Sequence, residues 1–503
     1  MRTKKTTAPA EAPDEPYAGR LDLRAAAGGT APIILDEANA GLCDGDIART
    51  SPHLLVVGKT GSMKSSSVLE PNIIRWGPRP VVAMSSKADV AEHTITKRAR
   101  RGPVFLLDLA GEVSDEDLRG VPVTPVRVDP CTMIETDDQA LSMASLLMQI
   151  GDIGAGGDGQ GGGDSGFWKS LARRRLACFL LAGGWYVEPA TGKKTWGGGI
   201  AWALDAAEDV GPDAAEGESG RGLTSEGIRE AAAEDLDESL DNTEILPDFE
   251  TPNWNTAYLR VAQRRSRHAK SLLAARAMDS RQRDSIGINM QVAMSAWAMK
   301  QVAQNPSVRA FHPALLEQEG ATLYIVSGME GAGPPAIATV LIEIVNHWRK
   351  PRCKEDKLPP VLFVLDEFAN GAQIPPRYVN RWISEGRGLG IRLVLALQTT
   401  KQLNRMWGQA AADELRALIP AALILPGAGE NQMIKDAAET TPPSPRSVAT
   451  IDAGGRASTS EQMVQPTLAE LLPRKAGEGR LLLGGMAGVR VRLRHISGTN
   501  LLD

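Results

Sequence analysis

Residues Leu54 to Ser66 read LLVVGKTGSMKSS, and no other stretch restricts the fold so tightly. A short apolar run leads into a turn holding Gly58 and Gly61, and Lys64-Ser65 then opens a helical segment. Such a strand–turn–helix unit belongs in a parallel sheet whose strands are joined by helical crossovers. A glycine-rich turn lets successive backbone N–H groups converge on phosphate oxygens, and the following helix adds its positive end. Gly58, Lys59, Thr60, Gly61, Ser62, Met63, Lys64, Ser65 and Ser66 are therefore the candidate nucleotide-binding loop. Lys64 is expected at the β- and γ-phosphates, and the Ser65 hydroxyl on Mg²⁺.

Val361 to Glu367 read VLFVLDE, an apolar strand ending in two carboxylates. Asp366 is expected to hold the same Mg²⁺ through water, and Glu367 to orient or polarise the attacking water. The two stretches are the halves of one nucleoside-triphosphate site, and ATP with Mg²⁺ is the ligand they imply. One departure stands in the loop: the usual spacing is G-x-x-x-x-G-K-[ST], and Met63 occupies the place of the second glycine. Glycine there permits close approach of backbone to phosphate. Efficient hydrolysis, slow turnover and nucleotide binding without turnover all stay open on this ground.

The rest of the chain alternates in the same way at both ends. Strands are expected at 54–57, 80–84 and 104–108, then at 321–326, 361–365, 392–396 and 421–425, with 480–483 and 489–493 as an antiparallel pair closing the sheet. A helix is expected over 64–75, interrupted near Pro71. Between the two alternating regions helices dominate, over 138–150, 168–185, 255–278 and 285–304. The expected fold class is α/β: a RecA-like P-loop NTPase domain with a mostly parallel twisted sheet, interrupted by an inserted all-α domain. The expected division is a disordered tail (1–30), a first half of the nucleotide-binding domain (31–134), the helical insertion (135–315) and the second half (316–503). Within the insertion, 151–166 is glycine-rich and 205–250 strongly acidic, and both read as flexible, solvated stretches.

Bulk composition excludes little. With 503 residues the chain is too long for one simple core. A net charge of −5 provides no global field for nucleic acid, so any such contact needs local patches. Candidates are Lys97–Arg101, Arg173–Arg175 and Arg264–Lys270, each of which is also readable as a solvated helix face. Cys43, Cys131, Cys178 and Cys353 lie far apart and suggest neither zinc nor a disulfide framework, only reduced, buried thiols of a cytoplasmic protein. No apolar run approaches the roughly 20 residues that span a bilayer.

Two further residues belong with the site. Gln398 follows the strand at 392–396, which is expected beside the Asp366-Glu367 strand; a polar residue there in ring-forming translocases touches the γ-phosphate and reports its loss. A polar strand cap is the plainer reading. Arg387 lies in a glycine-flanked segment before that strand and is the candidate for stabilising the γ-phosphate of a neighbouring subunit, ahead of Arg381 and Arg392.

These residues resemble a known group, the type IV secretion coupling proteins of the VirD4/TraG/TraD kind. GKTGSMKSSSVLEPNII is similar to their Walker A segment, and PVVAMSSKADVAEHT to their next strand, with Lys87 and Asp89 in the usual places. GFWKSLARRRLACFLLAGG resembles the Phe-Trp helix of their inserted domain. VLFVLDEFANGAQIP, ISEGRGLGIRLVLALQTTKQL and PTLAELLPRKAGEGRLLLGG resemble their Walker B, Gly-Arg/Gln and C-terminal segments. The resemblance covers most of residues 50 to 495. It implies an ATP-dependent coupling protein that recruits a relaxase–DNA complex and helps to translocate it to a conjugation channel. It further implies non-specific, single-stranded DNA, a relaxase or other cargo, a channel or separate membrane-anchor subunit, and a homo-hexamer as partners. Family members usually carry N-terminal membrane helices, which this sequence lacks, so a cytoplasmic protein docked to the membrane through a partner is expected. The alternatives are an FtsK-type translocase, which would carry a DNA-reading tail not visible here, and a weakly or non-hydrolysing nucleotide-binding adaptor.

Overall fold

A computed structural model describes residues 14–24, 37–154, 163–187, 191–210, 251–303, 307–328, 333–353, 355–451, 457–499 and 501. Of the expected tail, glycine-rich stretch and acidic insertion, residues 1–13, 25–30, 155–162 and 211–250 lie outside the described residues. The chain forms two compact units, one from residues 1–125, 313–331 and 342–503, the other from 126–312 and 332–341.

The first unit is built on strands β1 (Arg20–Leu21), β2 (His53–Val57), β3 (Val81–Ser85), β4 (Val104–Asp108) and β5 (Thr124–Pro125). The second unit then contributes its own short hairpin, β6 (Trp185–Val187) with β7 (Lys194–Trp196). The first unit resumes with β8 (Thr322–Val326), β9 (Val361–Leu365), β10 (Ile391–Leu397) and β11 (Ala421–Ile424). A separate antiparallel hairpin, β12 (Ser444–Ile451) and β13 (Ala457–Val464), precedes β14 (Glu478–Leu483) and β15 (Met486–Arg492).

Eleven of these strands make one sheet in the order β1-β15-β14-β11-β2-β10-β9-β3-β8-β4-β5. From β11 to β5 every neighbour is parallel; β14, β15 and β1 add an antiparallel margin. β2, β3, β8, β9, β10 and β11 are buried at every position. Strands covered on both faces read as unbroken apolar runs, which is why their positions are legible in the sequence. The β14–β15 pair does not close the sheet as expected, because β1 pairs outside β15.

The second unit is mainly helical: Asp137–Gly154, Gly163–Gly183, Gly199–Glu208, Trp254–Gln263, Ala269–Arg276 and Ser280–Met294. The helix expected over 255–278 is broken in two. Arg265 takes a left-handed φ of +54°, and the backbone N–H of Ser266 returns to the Val261 carbonyl at 3.1 Å, capping the first helix. Phe179 and Trp254 meet edge to face with ring centroids 5.6 Å apart in its core. Cys131 and Cys178 are buried here, and burial pushes the Cys178 thiol up to about 12. Cys43 and Cys353, expected to be buried, are exposed. Among the described residues no helix is long and apolar enough to cross a membrane.

Each expected basic cluster has an arginine that turns inward, Arg98 and Arg175 buried and Arg264 half-buried. Arg98 is 1% exposed. Its guanidinium donates to Thr322 Oγ1 at 2.7 Å and to the carbonyls of Gly77, Arg79 and Gly320 at 2.6, 2.8 and 3.0 Å. Burial pulls its pKa down to about 10, still far above neutral pH. Arg175 is buried and donates to the Leu171 carbonyl, and Arg264 donates to carbonyls at the end of the Gly163–Gly183 helix. Replacing Arg98 with methionine removes the guanidinium from all three carbonyls, of which, among the described residues, Gly320 keeps only the Thr322 hydroxyl at 3.3 Å. We expect a loss of roughly 3 kcal/mol or more of stability, read as a lower urea midpoint for the first unit.

Candidate functional site

The sheet order sets the geometry. β10 lies between β2 and β9, so the residue after β10 emerges between the glycine turn after β2 and the two acids after β9. The turn itself starts under tight constraint. Gly58 N–H donates to the Leu397 carbonyl at 3.1 Å, and Leu425 N–H to the Val57 carbonyl at 2.8 Å. A Cβ on Gly58 would stand 2.5 Å from Ser62 Oγ and 2.9 Å from Leu425, so only glycine fits.

After the turn the helix begins as a π-type turn, Ser65–Leu69, and becomes α-helical over Glu70–Arg75. Pro71 follows the π-type turn without a break and cannot donate to the carbonyls of that turn, so it falls where the ladder changes from π to α spacing. The irregularity expected near Pro71 is thus a change of helix type just before it; π-turns concentrate at functional sites.

Lys64 is 7% exposed and donates from Nζ to the Gly58 carbonyl at 2.9 Å, folding back over its own loop. Ser65 Oγ donates to Asp366 Oδ2 at 3.2 Å. Asp366 Oδ1 accepts the Glu367 N–H at 3.0 Å. Burial raises the Asp366 carboxyl above the ordinary range, the Lys64 charge opposes this, and the Glu367 charge reinforces it. Gln398 Nε2 donates to Glu367 Oε1 at 3.0 Å. The sequence-separated Lys64, Ser65, Asp366, Glu367 and Gln398 thus converge at one end of three adjacent strands. Ser65 and Asp366 offer the alcohol and carboxylate oxygens that Mg²⁺ prefers, and both stand beside the glycine turn.

Two of the four non-glycine residues with a left-handed φ among the described residues are in this cluster, Met63 at +61° and Glu367 at +48°. Each costs on the order of 1–2 kcal/mol, and such strain collects where a site is preorganised. Met63 therefore holds a left-handed conformation that glycine would adopt without this cost. In a Met63→Gly chain the released strain and the added unfolded-state entropy nearly cancel, so stability should stay within about 1 kcal/mol. Steady-state ATP turnover is expected to rise several-fold as the loop closes more tightly on phosphate; an unchanged rate would show that the methionine leaves the loop fully competent.

Arg387 is elsewhere. It is exposed in the last turn of the helix Pro376–Leu389, which enters β10 at the end opposite to Gln398. Seven strand residues separate the two ends by roughly 20 Å, so Arg387 cannot serve the site of its own chain. Its side chain makes no hydrogen bond or ion pair among the described residues. The competing arginines are engaged: Arg381 pairs with Glu385 at 2.9 Å, and Arg392, 4% exposed, holds the Asp14 carboxylate at 2.8 Å. Glu430, which no motif marks, reaches the turn after Gln398 from beyond β11.

The profile of the family described as "Type IV secretory system Conjugative DNA transfer" matches residues 24–420. Two crystal forms of the bacterial conjugative coupling protein TrwBdeltaN70 share the fold. The unbound monoclinic form has a TM-score of 0.51 and the trigonal form in complex with sulphate 0.50. Both are 15% identical to this chain, with 88% of it and 85% of theirs aligned. No curated protein matches the sequence.

Proposed function

The chain belongs to the type IV secretory conjugative DNA-transfer family, and on that premise we propose that it is an ATP-driven coupling ATPase that recruits DNA to a secretion channel and helps to move it. One observation carries the reading. Ser65 meets Asp366 at 3.2 Å and Gln398 meets Glu367 at 3.0 Å, at the mouth of the glycine turn that starts at Gly58.

Within this reading each side chain has a task. The turn from Gly58 to Ser66 binds the triphosphate through its backbone, and Lys64 releases Gly58 to meet the β- and γ-oxygens. Ser65 and Asp366 hold Mg²⁺, which when bound screens the phosphate charge. Glu367 accepts a hydrogen bond from the attacking water and polarises it toward the γ-phosphorus. Gln398, already on Glu367, is placed to exchange that contact for a γ-phosphate oxygen and to give it back when the phosphate leaves. Arg387, free at the far end of the sheet, is the group offered to the site of a neighbouring copy, which requires a ring, the hexamer being the expected form. The cargo is a relaxase–DNA complex carried on non-specific single-stranded DNA, delivered from the cytoplasmic side to a membrane partner.

The second reading is a nucleotide-binding adaptor that recruits cargo without turnover. The strained Met63 in the loop favours it. ATP hydrolysis measured with and without single-stranded DNA separates the two. Turnover that rises with DNA supports the motor. Nucleotide binding with no phosphate release supports the adaptor, and binding of neither nucleotide nor DNA overturns both.

A further inference from the structure

We propose that Glu430 is a positioning residue for Gln398, fastening the turn that carries this γ-phosphate reporter to the loop on the other side of the phosphate-binding strand. The inference rests on the ATPase reading above.

β11 and β10 flank β2, so the loops that leave their ends stand on either side of the glycine turn. The β11 loop runs against that turn: Leu425 packs where a Cβ on Gly58 would be, and the Cβ position of Gly427 lies 3.8 Å from Lys59 Cδ. At its end stands Glu430, 8% exposed. Its Oε1 accepts Thr399 Oγ1 at 2.8 Å and the Thr400 N–H at 2.7 Å, and its Oε2 accepts Thr400 Oγ1 at 2.8 Å. Both residues that directly follow Gln398 are therefore pinned by one desolvated carboxylate. Bonds of this charge-assisted kind are short and strong, and their strength grows where water is excluded.

The same turn is held from its other side. Arg416, on the helix Gln409–Leu418, donates to Thr400 Oγ1 at 3.1 Å and to the Thr400 carbonyl at 3.0 Å. Gln402 accepts the Gln398 N–H itself at 3.1 Å. The backbone of Gln398 is thus fixed, and only its side-chain torsions remain to move between Glu367 and a phosphate oxygen. Glu430 stands at the start of the helix Asn431–Thr440, yet it makes no capping bond to that helix. The shorter aspartate at this place would accept its own helix's first N–H groups, whereas the longer glutamate reaches past them. Here its acceptors are committed across the site, to a different strand's turn.

A reporter that must discriminate the presence of one phosphate depends on placement, and a displacement of about 1 Å in such a group costs on the order of 10²-fold. The test uses the full chain. Glu430→Ala, Glu430→Gln, Gln398→Ala and the Glu430→Ala/Gln398→Ala double variant are compared for DNA-stimulated ATP turnover, for the affinity ratio of ATPγS over ADP, and for thermal stability. Glu430→Ala should lower kcat about tenfold or more at nearly unchanged KM and should erase most of the ATPγS preference. Glu430→Gln, which keeps one acceptor oxygen, should recover part of both. The double variant should be no worse than Gln398→Ala, because the two residues act as one unit. A wild-type kcat and ATPγS preference in Glu430→Ala overturns the inference while leaving the ATPase reading intact. Additive losses in the double variant, or a loss that follows thermal stability alone, also overturn it. A wild-type chain that binds neither ATPγS nor ADP overturns the ATPase reading and this inference with it.

Discussion

A Lys64→Ala chain is expected to lose DNA-stimulated ATP turnover by about 10²–10³-fold or more, the cost of removing one preorganised donor from a transition state rich in negative charge. Two features of the site enlarge the effect. Lys64 is almost fully buried beside Asp366 and Glu367, so its charge acts with little screening. It is also the cation that opposes the upward shift of the Asp366 carboxyl. Without it Asp366 is pushed further toward its neutral form, and the oxygens proposed to hold the metal should weaken together with the proposed phosphate contact. Fluorescent nucleotide affinity should therefore fall as well as kcat. Lys64→Arg should fail to restore turnover, because a planar guanidinium cannot occupy the same confined position as an ammonium. Thermal unfolding should change little, since among the described residues the one hydrogen bond lost from the Lys64 side chain is that to the Gly58 carbonyl. Undiminished turnover in Lys64→Ala would place the catalytic site outside this loop.

The legible and illegible parts of this chain divide along physical lines. The central strands could be placed from sequence because burial on both faces demands long apolar runs, as in Val361–Leu365 and, past Arg392, Leu393–Leu397. The edge strands β1 and β5 have two residues each, and β12 and β13 read SPRSVATI and ASTSEQMV, with no apolar run to mark them. The helix break near Arg264 escaped because an arginine, rather than a glycine, takes the left-handed position. The loop, the acid pair and Gln398 were legible because each is a local pattern fixed to the end of a strand. Glu430 was not, since its role follows from β11 and β10 lying on either side of β2, an adjacency that the order of the chain does not express. The basic clusters misled for a related reason: charge in sequence does not distinguish an arginine that meets solvent from one, such as Arg98, that gathers carbonyls beneath a sheet.

Glu367→Gln should separate binding from chemistry. The carboxamide has nearly the shape of the carboxylate and keeps an oxygen to accept the Gln398 amide, now at 3.0 Å, so the cluster should hold together. What disappears is the negative charge proposed to polarise water, and a positioned base of this kind contributes roughly 10²–10⁴-fold to rate. Binding should move the other way. The Glu367 charge repels a triphosphate and helps to raise the Asp366 carboxyl. Its removal should therefore leave ATP affinity equal or tighter while phosphate release collapses, and ATP-bound chain should accumulate. Glu367→Ala would lose the rate and also the Gln398 anchor, so its ATPγS preference over ADP should fall where that of Glu367→Gln survives. The left-handed φ of +48° at this position makes the comparison sharper, because Gln and Ala bear the same backbone strain as Glu and neither gains the relief that glycine would bring. A Glu367→Gln chain that hydrolyses ATP at the wild-type rate would show that another group activates the water, and Asp366 would then be the first residue to test.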